Sequence, residues 1–234
     1  MVIFTQSDFL EPIKLLRSHA LDRTVIILMN VEDIPIGNLF STQFWEDQLR
    51  RDPEQARHQS YQLFWIWLNK VWCGAEAIRL NFFQSDLFVW SDIGCFWDKR
   101  YNSKQLIAHR DLVPPHEMMC MAHTKPNPPN FDIFDDKVKY NSNFYHAGSQ
   151  FAAYKDTLKV FYEHLLDMID RFLERKLLLV DDQVVLQSVC LSHPEICVYV
   201  LPSEVNDRRY HGVRYVLHYG GKYNFWRYNK TIAN

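Results

Sequence analysis

The chain predicts an α/β domain built on a central mixed, mainly parallel sheet flanked by helices, and three observations carry that expectation. Short apolar runs of strand length stand at residues 24–29 (TVIILM), 87–90 (LFVW) and 196–200 (ICVYV), each bounded by polar or turn-forming residues. Between them lie longer segments whose apolar residues recur at steps of three and four, the period of a helix with one face in a core. With 234 residues, 47% of them apolar, the chain is long enough to bury a large core. A single domain over residues 1–234 is the simplest expectation.

Taken in order, residues 2–4 suit a first strand. A helix follows from about residue 11 to 20, with Pro12 in the first turn, where its missing N–H is not needed. The run at 24–29 is β-branched and apolar throughout and reads as the clearest buried strand, closed by polar residues and Pro35. Over 53–80 a long helix is expected, because Tyr61, Phe64, Trp65, Leu68, Trp72 and Ala75 fall on one stripe. Lys70 lies off that stripe, as a solvated charge does, yet the helix leads directly to the next strand and so toward the same crevice. That strand, 87–90, ends in Ser91, Asp92, Ile93 and Gly94.

Residues 98–140 are mixed, with a helix expected at 103–112 and a surface loop or lid at 123–132, where Pro126, Pro128 and Pro129 exclude regular structure. In 144–154 (FYHAGSQFAAY), Ala147, Gly148 and Ser149 make a notch of small residues through which backbone can approach a ligand. Residues 155–176 form a strongly amphipathic helix, with Leu158, Phe161, Leu165, Ile169 and Phe172 facing the core. Asp181 and Asp182 precede a further helical run, where an aspartate makes a good N-cap. After the strand at 196–200, a loop with Asp207, Arg208, Arg209, His211 and Arg214 offers cations that suit a diphosphate. A last strand, 215–218, is expected to end in Tyr219, Gly220, Gly221 and Lys222.

Charge and cysteine content narrow the partners. Lys and Arg number 26 against 28 Asp and Glu, so no overall field draws the chain to nucleic acid or to an anionic membrane. No apolar run approaches the roughly 20 residues of a spanning helix, and the first ten residues do not read as a secretory signal. The sequon at Asn229 therefore carries no weight. Cys73, Cys95, Cys120, Cys190 and Cys197 show no CxxC spacing, which indicates neither a zinc ribbon nor a disulfide scaffold, and reduced thiols in a cytoplasmic protein are expected. Seven Trp and sixteen Phe supply flat surfaces on which sugars or bases stack. The ten histidines show no HExxH or HxH spacing, which disfavours a metal-dependent hydrolase.

The candidate chemistry gathers on a few residues. Asp92 follows a strand, and in open α/β sheets ligands bind just beyond the strands' carboxyl ends; an aspartate there equally starts a turn. Asp181 and Asp182 offer a carboxylate base within reach of an acceptor hydroxyl, or a helix cap. His146 is either an acceptor-side group or a core histidine satisfied by one hydrogen bond.

The segments WSDIG (90–94), HAG (146–148), DDQVVL (181–186) and HYGGK (218–222), in that order, resemble the nucleotide-sugar glycosyltransferases of the GT-A fold. Within that group, SDLFVWSDIG and VDDQVVLQSV are most similar to the bacterial HtrL/YibB family. Transferases related to glycogenin share the order of a DXD motif, an Asp-Gln helix start and a late His-x-x-Gly-x-x-Lys segment. The resemblance implies transfer of a sugar from a nucleotide-sugar donor to a glycan or other hydroxyl acceptor. By the same resemblance Asp92 and His218 hold a divalent cation, Mn²⁺ or Mg²⁺, on the donor diphosphate, and Lys222 touches that diphosphate. Lys70 and Gly94 fall on the donor side, His146 and Gly148 on the acceptor side, and Asp181 and Asp182 are the catalytic carboxylates. Gly94 stands where the DXD motif has its second aspartate, and the resemblance begins after the strand that usually cradles the base. Both departures open an alternative, a catalytically inactive GT-A-like module that binds a glycan or a protein. If the site is real, Asp92, Asp182 and His218 converge at the carboxyl edge of one sheet, with Lys222 reaching the same cleft.

Overall fold

The computed structural model describes residues 1–96, 107–124, 145–201, 212–220 and 225–228. The chain divides into two compact units, Met1–Ser85 and Asp86–Asn234. Among the described residues no helix is long and apolar enough to cross a membrane.

In the first unit β1 (Val2–Thr5) pairs in parallel with β2 (Val25–Leu28), in register from Val2 opposite Val25 to Thr5 opposite Leu28. The connection carries α1 (Leu10–Leu16) and a 3-10 segment, Ser18–Arg23. The run at 24–29, which reads as the clearest buried strand, is instead half-exposed, with Leu28 52% accessible. A two-stranded sheet gives each strand only one neighbour, so apolar composition alone does not bury it.

Four helices follow: α2 (Pro35–Asn38), α3 (Thr42–Arg51), α4 (Gln62–Leu68) and α5 (Lys70–Leu80). Ser41 caps α3 by accepting from the Phe44 N–H at 3.2 Å. Trp45 is fully buried, and its indole N–H donates to the Gly37 carbonyl at 3.1 Å. Trp65 covers Gly37 so closely that a Cβ there would meet its ring at 2.6 Å. The single helix expected over 53–80 is thus two helices joined at Asn69, with turns before residue 62. In those turns Asp52 accepts from His58 Nδ1 at 2.6 Å. Asn81, left-handed at φ 34°, ends α5. Lys70 opens α5 and is 5% exposed, so it is not the solvated charge its place off the stripe suggests.

The second unit contains a five-stranded sheet in the order β3-β5-β4-β6-β7. Its strands are β3 (Leu87–Ser91), β4 (Met118–Ala122), β5 (His146–Tyr154), β6 (Cys197–Val200) and β7 (Phe225–Trp226). Mixed α/β is therefore right, but "mainly parallel" is not: β4 and β6 run parallel, whereas the other three neighbouring pairs are antiparallel. The difference comes from β5, antiparallel to both β3 and β4, and from the short β7, antiparallel to β6; neither is marked by an unbroken apolar run.

Among the described residues three α-helices complete the unit: α6 (Lys155–Glu174), α7 (Asp182–Ser192) and α8 (Gly212–Tyr219). Alternation along the strands sorts side chains onto two faces. Met119, Met121, Ala147, Ala152, Val198 and Val200 form one apolar core with Val213, Val216 and Leu217 of α8. Their neighbours Met118, Cys120, His146, Cys197 and Tyr199 point to the other face, which α7 covers, with α6 packed along it. A disulfide between Cys190 of α7 and Cys197 of β6 fixes that packing, with Cα atoms 5.5 Å apart. The expectation of reduced thiols throughout is thereby corrected: a spacing of seven residues, unlike any CxxC motif, brings a helix end back onto a strand start. Cys73 and Cys120 are free and buried.

The segment 215–218, expected as the last strand, lies in a helix. Its Val213, Val216 and Leu217 recur at steps of three and four, and Gly220 at φ 62° supplies the left-handed turn that stops it, its N–H bonding the Val216 carbonyl at 3.0 Å. The helix expected at 103–112 falls partly outside the described residues; its described part holds one 3-10 turn, Arg110–Leu112. The expected lid, apart from His123 and Thr124, and the cations at 208, 209 and 211 also fall outside them.

Candidate functional site

Register places the carboxyl ends of β3, β4 and β6 on one edge, together with the amino end of β5: Ser91 pairs with Gln150, Ala122 with His146, and Met121 with Val200. At that edge β5 bulges. Cys120 is opposite Phe151 while the next residue, Met121, is opposite Ala147, so residues 148–150 have no partner on β4. Bulges re-aim backbone and side chains, and here the bulge holds the small-residue notch that the sequence singled out.

The first turn of α7 closes on this bulge. A Cβ placed on Gly148 would stand 2.7 Å from the carboxyl carbon of Asp182 and closer still to Oδ2, so the carboxylate rests directly on glycine backbone. Asp182 is 3% exposed. Asp181 caps the same helix, its Oδ1 accepting from the Gln183 N–H at 2.8 Å. Deeper along α7, Gln187 Oε1 accepts from the Tyr145 and His146 N–H groups at 2.9 and 3.2 Å, which ties the start of β5 to the helix. His146 is fully buried, with Nδ1 3.0 Å from the Tyr199 hydroxyl. Burial drives the Tyr199 hydroxyl well above the ordinary tyrosine pKa, so it meets the imidazole as a neutral phenol.

Asp92 reaches the bulge from the other side. Its N–H donates to the Ser149 carbonyl at 2.9 Å, and its Oδ1 accepts from the Trp90 indole at 2.7 Å. Gln150 ties β3 to α8: its Nε2 donates to Ser91 Oγ at 3.2 Å, and its Oε1 accepts from the Arg214 N–H in the first turn of α8 at 3.2 Å. The amino ends of α7, at Gly148, and of α8, at Gln150, meet the same sheet edge, α8 on the face of the Met119 core and α7 on the other. Each carries the partial positive charge of a helix start, a setting that suits an anion.

The structure thus brings Asp92, Gly148, Asp181, Asp182 and His146 to one stretch of sheet edge. Gly94 follows Asp92 on an exposed turn, where a Cβ would meet nothing within 4 Å. His218 stands in a helix and not in the strand expected for it. It lies six residues into α8, about 9 Å along the helix from Gly212 at a rise of ~1.5 Å per residue, toward the end where the Leu217 carbonyl accepts from the Ala108 and His109 N–H groups. Lys222 falls outside the described residues, and Lys70 belongs to the other unit. Among the described residues, the His, Cys, Asp and Glu groups whose ligand atoms gather within 4.8 Å are Cys120, Cys190 and Cys197, a set without Asp92, Asp182 or His218.

Sequence reasoning missed Gln187, Gln150 and Tyr199. Gln187 had a legible signal, since a lone amide within the apolar run VVLQSVCL needs a buried partner. Comparison with protein-family models, with curated proteins and with solved structures found no match.

Proposed function

We propose that this chain is a glycosyltransferase-like protein that binds a nucleotide-sugar donor at the edge where Asp92, the β5 bulge and the first turn of α7 meet. The observation that carries the reading is the seating of Asp182 on Gly148, which joins two of the segments that resemble GT-A transferases. Sugar transfer breaks the bond between the anomeric carbon and the diphosphate and forms one to an acceptor hydroxyl, whose proton must be taken up. A diphosphate at this edge would face the amino ends of α7 and α8, which stabilise the negative charge left on the departing nucleotide. Asp181 and Asp182 are the carboxylates that would receive the acceptor proton in an inverting reaction, or position the sugars in a retaining one. Hard cations such as Mn²⁺ or Mg²⁺ commonly take one carboxylate and complete their shell with phosphate and water, which leaves Asp92 as the carboxylate for such an ion; no step is assigned to it.

Isothermal titration with a panel of nucleoside diphosphates, with and without Mn²⁺, tests this reading. Binding of at least one nucleotide, weakened in Gly148→Ala, is expected; no binding under any condition overturns it.

A second reading, an inactive module that binds a glycan or a protein, is favoured by Gly94, which replaces a carboxylate at a position where the turn imposes no need for glycine. Sugar-nucleotide hydrolysis that disappears in Asp92→Ala would eliminate it.

A further inference from the structure

Three sulfur atoms meet beneath α7. Cys120 comes from β4, Cys197 from β6 and Cys190 from α7, and their Sγ atoms all lie within 4.8 Å of one another. Register explains the meeting: Met118 is opposite Cys197 and Cys120 opposite Tyr199, so Met118, Cys120 and Cys197 share the sheet face that α7 covers. The cysteines are 0–2% exposed.

We propose that, once the Cys190–Cys197 disulfide is reduced, this cluster is a binding site for one monovalent copper ion, so that α7 is held to the sheet either by a disulfide or by a metal. Soft thiolate ligands select Cu⁺, and the thioether of Met118 adds a further soft side chain to the same face. Structural Zn²⁺ asks for four ligands, and among the described residues no fourth His, Cys, Asp or Glu joins the set. Burial leaves little room for water to complete a tetrahedron. Metal binding to thiols releases their protons, so retention depends on pH. The chemistry balances: a dithiol gives two electrons and two protons to the disulfide and closes to its own cyclic disulfide, and copper then releases thiol protons to solvent.

The test uses the full chain, reduced without oxygen by dithiothreitol, freed of it, and titrated with Cu⁺ against bicinchoninate as competitor. Reduced protein is expected to withhold one more Cu⁺ per chain than oxidised protein, and Cys120→Ser to weaken that retention by at least about tenfold. Cys73 and Cys95 are common to both samples and cancel in the difference. X-ray absorption of the wild-type copper complex is expected to show three sulfur neighbours, a readout that does not depend on how a variant folds. Equal retention by oxidised and reduced chains, a Cys120→Ser variant as tight as wild type, two sulfur neighbours, or displacement of Cu⁺ by equimolar Zn²⁺ would each overturn the proposal.

Discussion

The Asp182 carboxylate lies on the backbone of Gly148, with no room between them for a methyl group. Gly148 therefore needs to be glycine for reasons of space, while the buried Asp182 is held at the mouth of α7 by the strand beneath it.

Gly148→Ala is expected to destabilise the fold by about 1–3 kcal/mol, as overpacking does. Asp182→Ala removes the obstructing carboxylate, so the two substitutions together should cost less than their sum, with a coupling of about 0.5–3 kcal/mol. Urea unfolding of the two single variants and the double variant measures it; additive costs would show that the two residues do not touch.

Gln187 is the polar pin between α7 and β5. Gln187→Leu leaves the Tyr145 and His146 N–H groups buried without their acceptor, at about 1–3 kcal/mol for each. Gln187→Glu keeps the oxygen and should cost less. Hydrogen exchange of those two amides is expected to be slow in the native chain and to rise sharply in the leucine variant alone.

Much of this arrangement was legible in the sequence. The strand ending at Asp92, the capped helix after Asp181 and the amphipathic helix from Lys155 all stand where apolar periodicity put them. Where the reading failed, one short apolar run fits two periods. YVLH suits a strand taken alone, but Val213 and Gly220 on either side make it helix, and His218 moves with it. The strand β5 was hidden because HAGSQFAAY lacks strict alternation: the bulge at 148–150 interrupts the two-residue period. Pairing of Cys190 with Cys197 depends on how α7 returns to β6, which spacing does not reveal.

Arg110 pairs with Asp86 at 2.7 Å and holds that carboxyl below its ordinary 3.8, chiefly through their hydrogen bond. A depressed folded value means that the unfolded chain binds the proton more readily, so the contribution is present above the unfolded pKa and is lost as pH falls through the folded one. Both side chains are more than half exposed, which keeps the effect small and sensitive to salt. Carboxyl NMR titration should find Asp86 below 3.8, returning toward it in Arg110→Ala; an unmoved midpoint would break the pairing.

The Cys190–Cys197 disulfide closes a loop of only seven residues' separation. Chain entropy for so short a loop amounts to about 2.5 kcal/mol, so Cys190→Ala with Cys197→Ala is expected to lose roughly that much stability beyond any packing loss. Cys120→Ala, which keeps the disulfide, should lose only the packing of one small buried side chain. The two variants separate covalent constraint from packing, because reduction by a dithiol should narrow the stability gap between wild type and the double variant while leaving Cys120→Ala as dependent on the oxidised bond as wild type. Equilibrium unfolding of the three chains with and without dithiothreitol measures all six stabilities. If reduction leaves wild type unchanged, the bond contributes no constraint, and the seating of α7 on β6 rests on apolar packing alone.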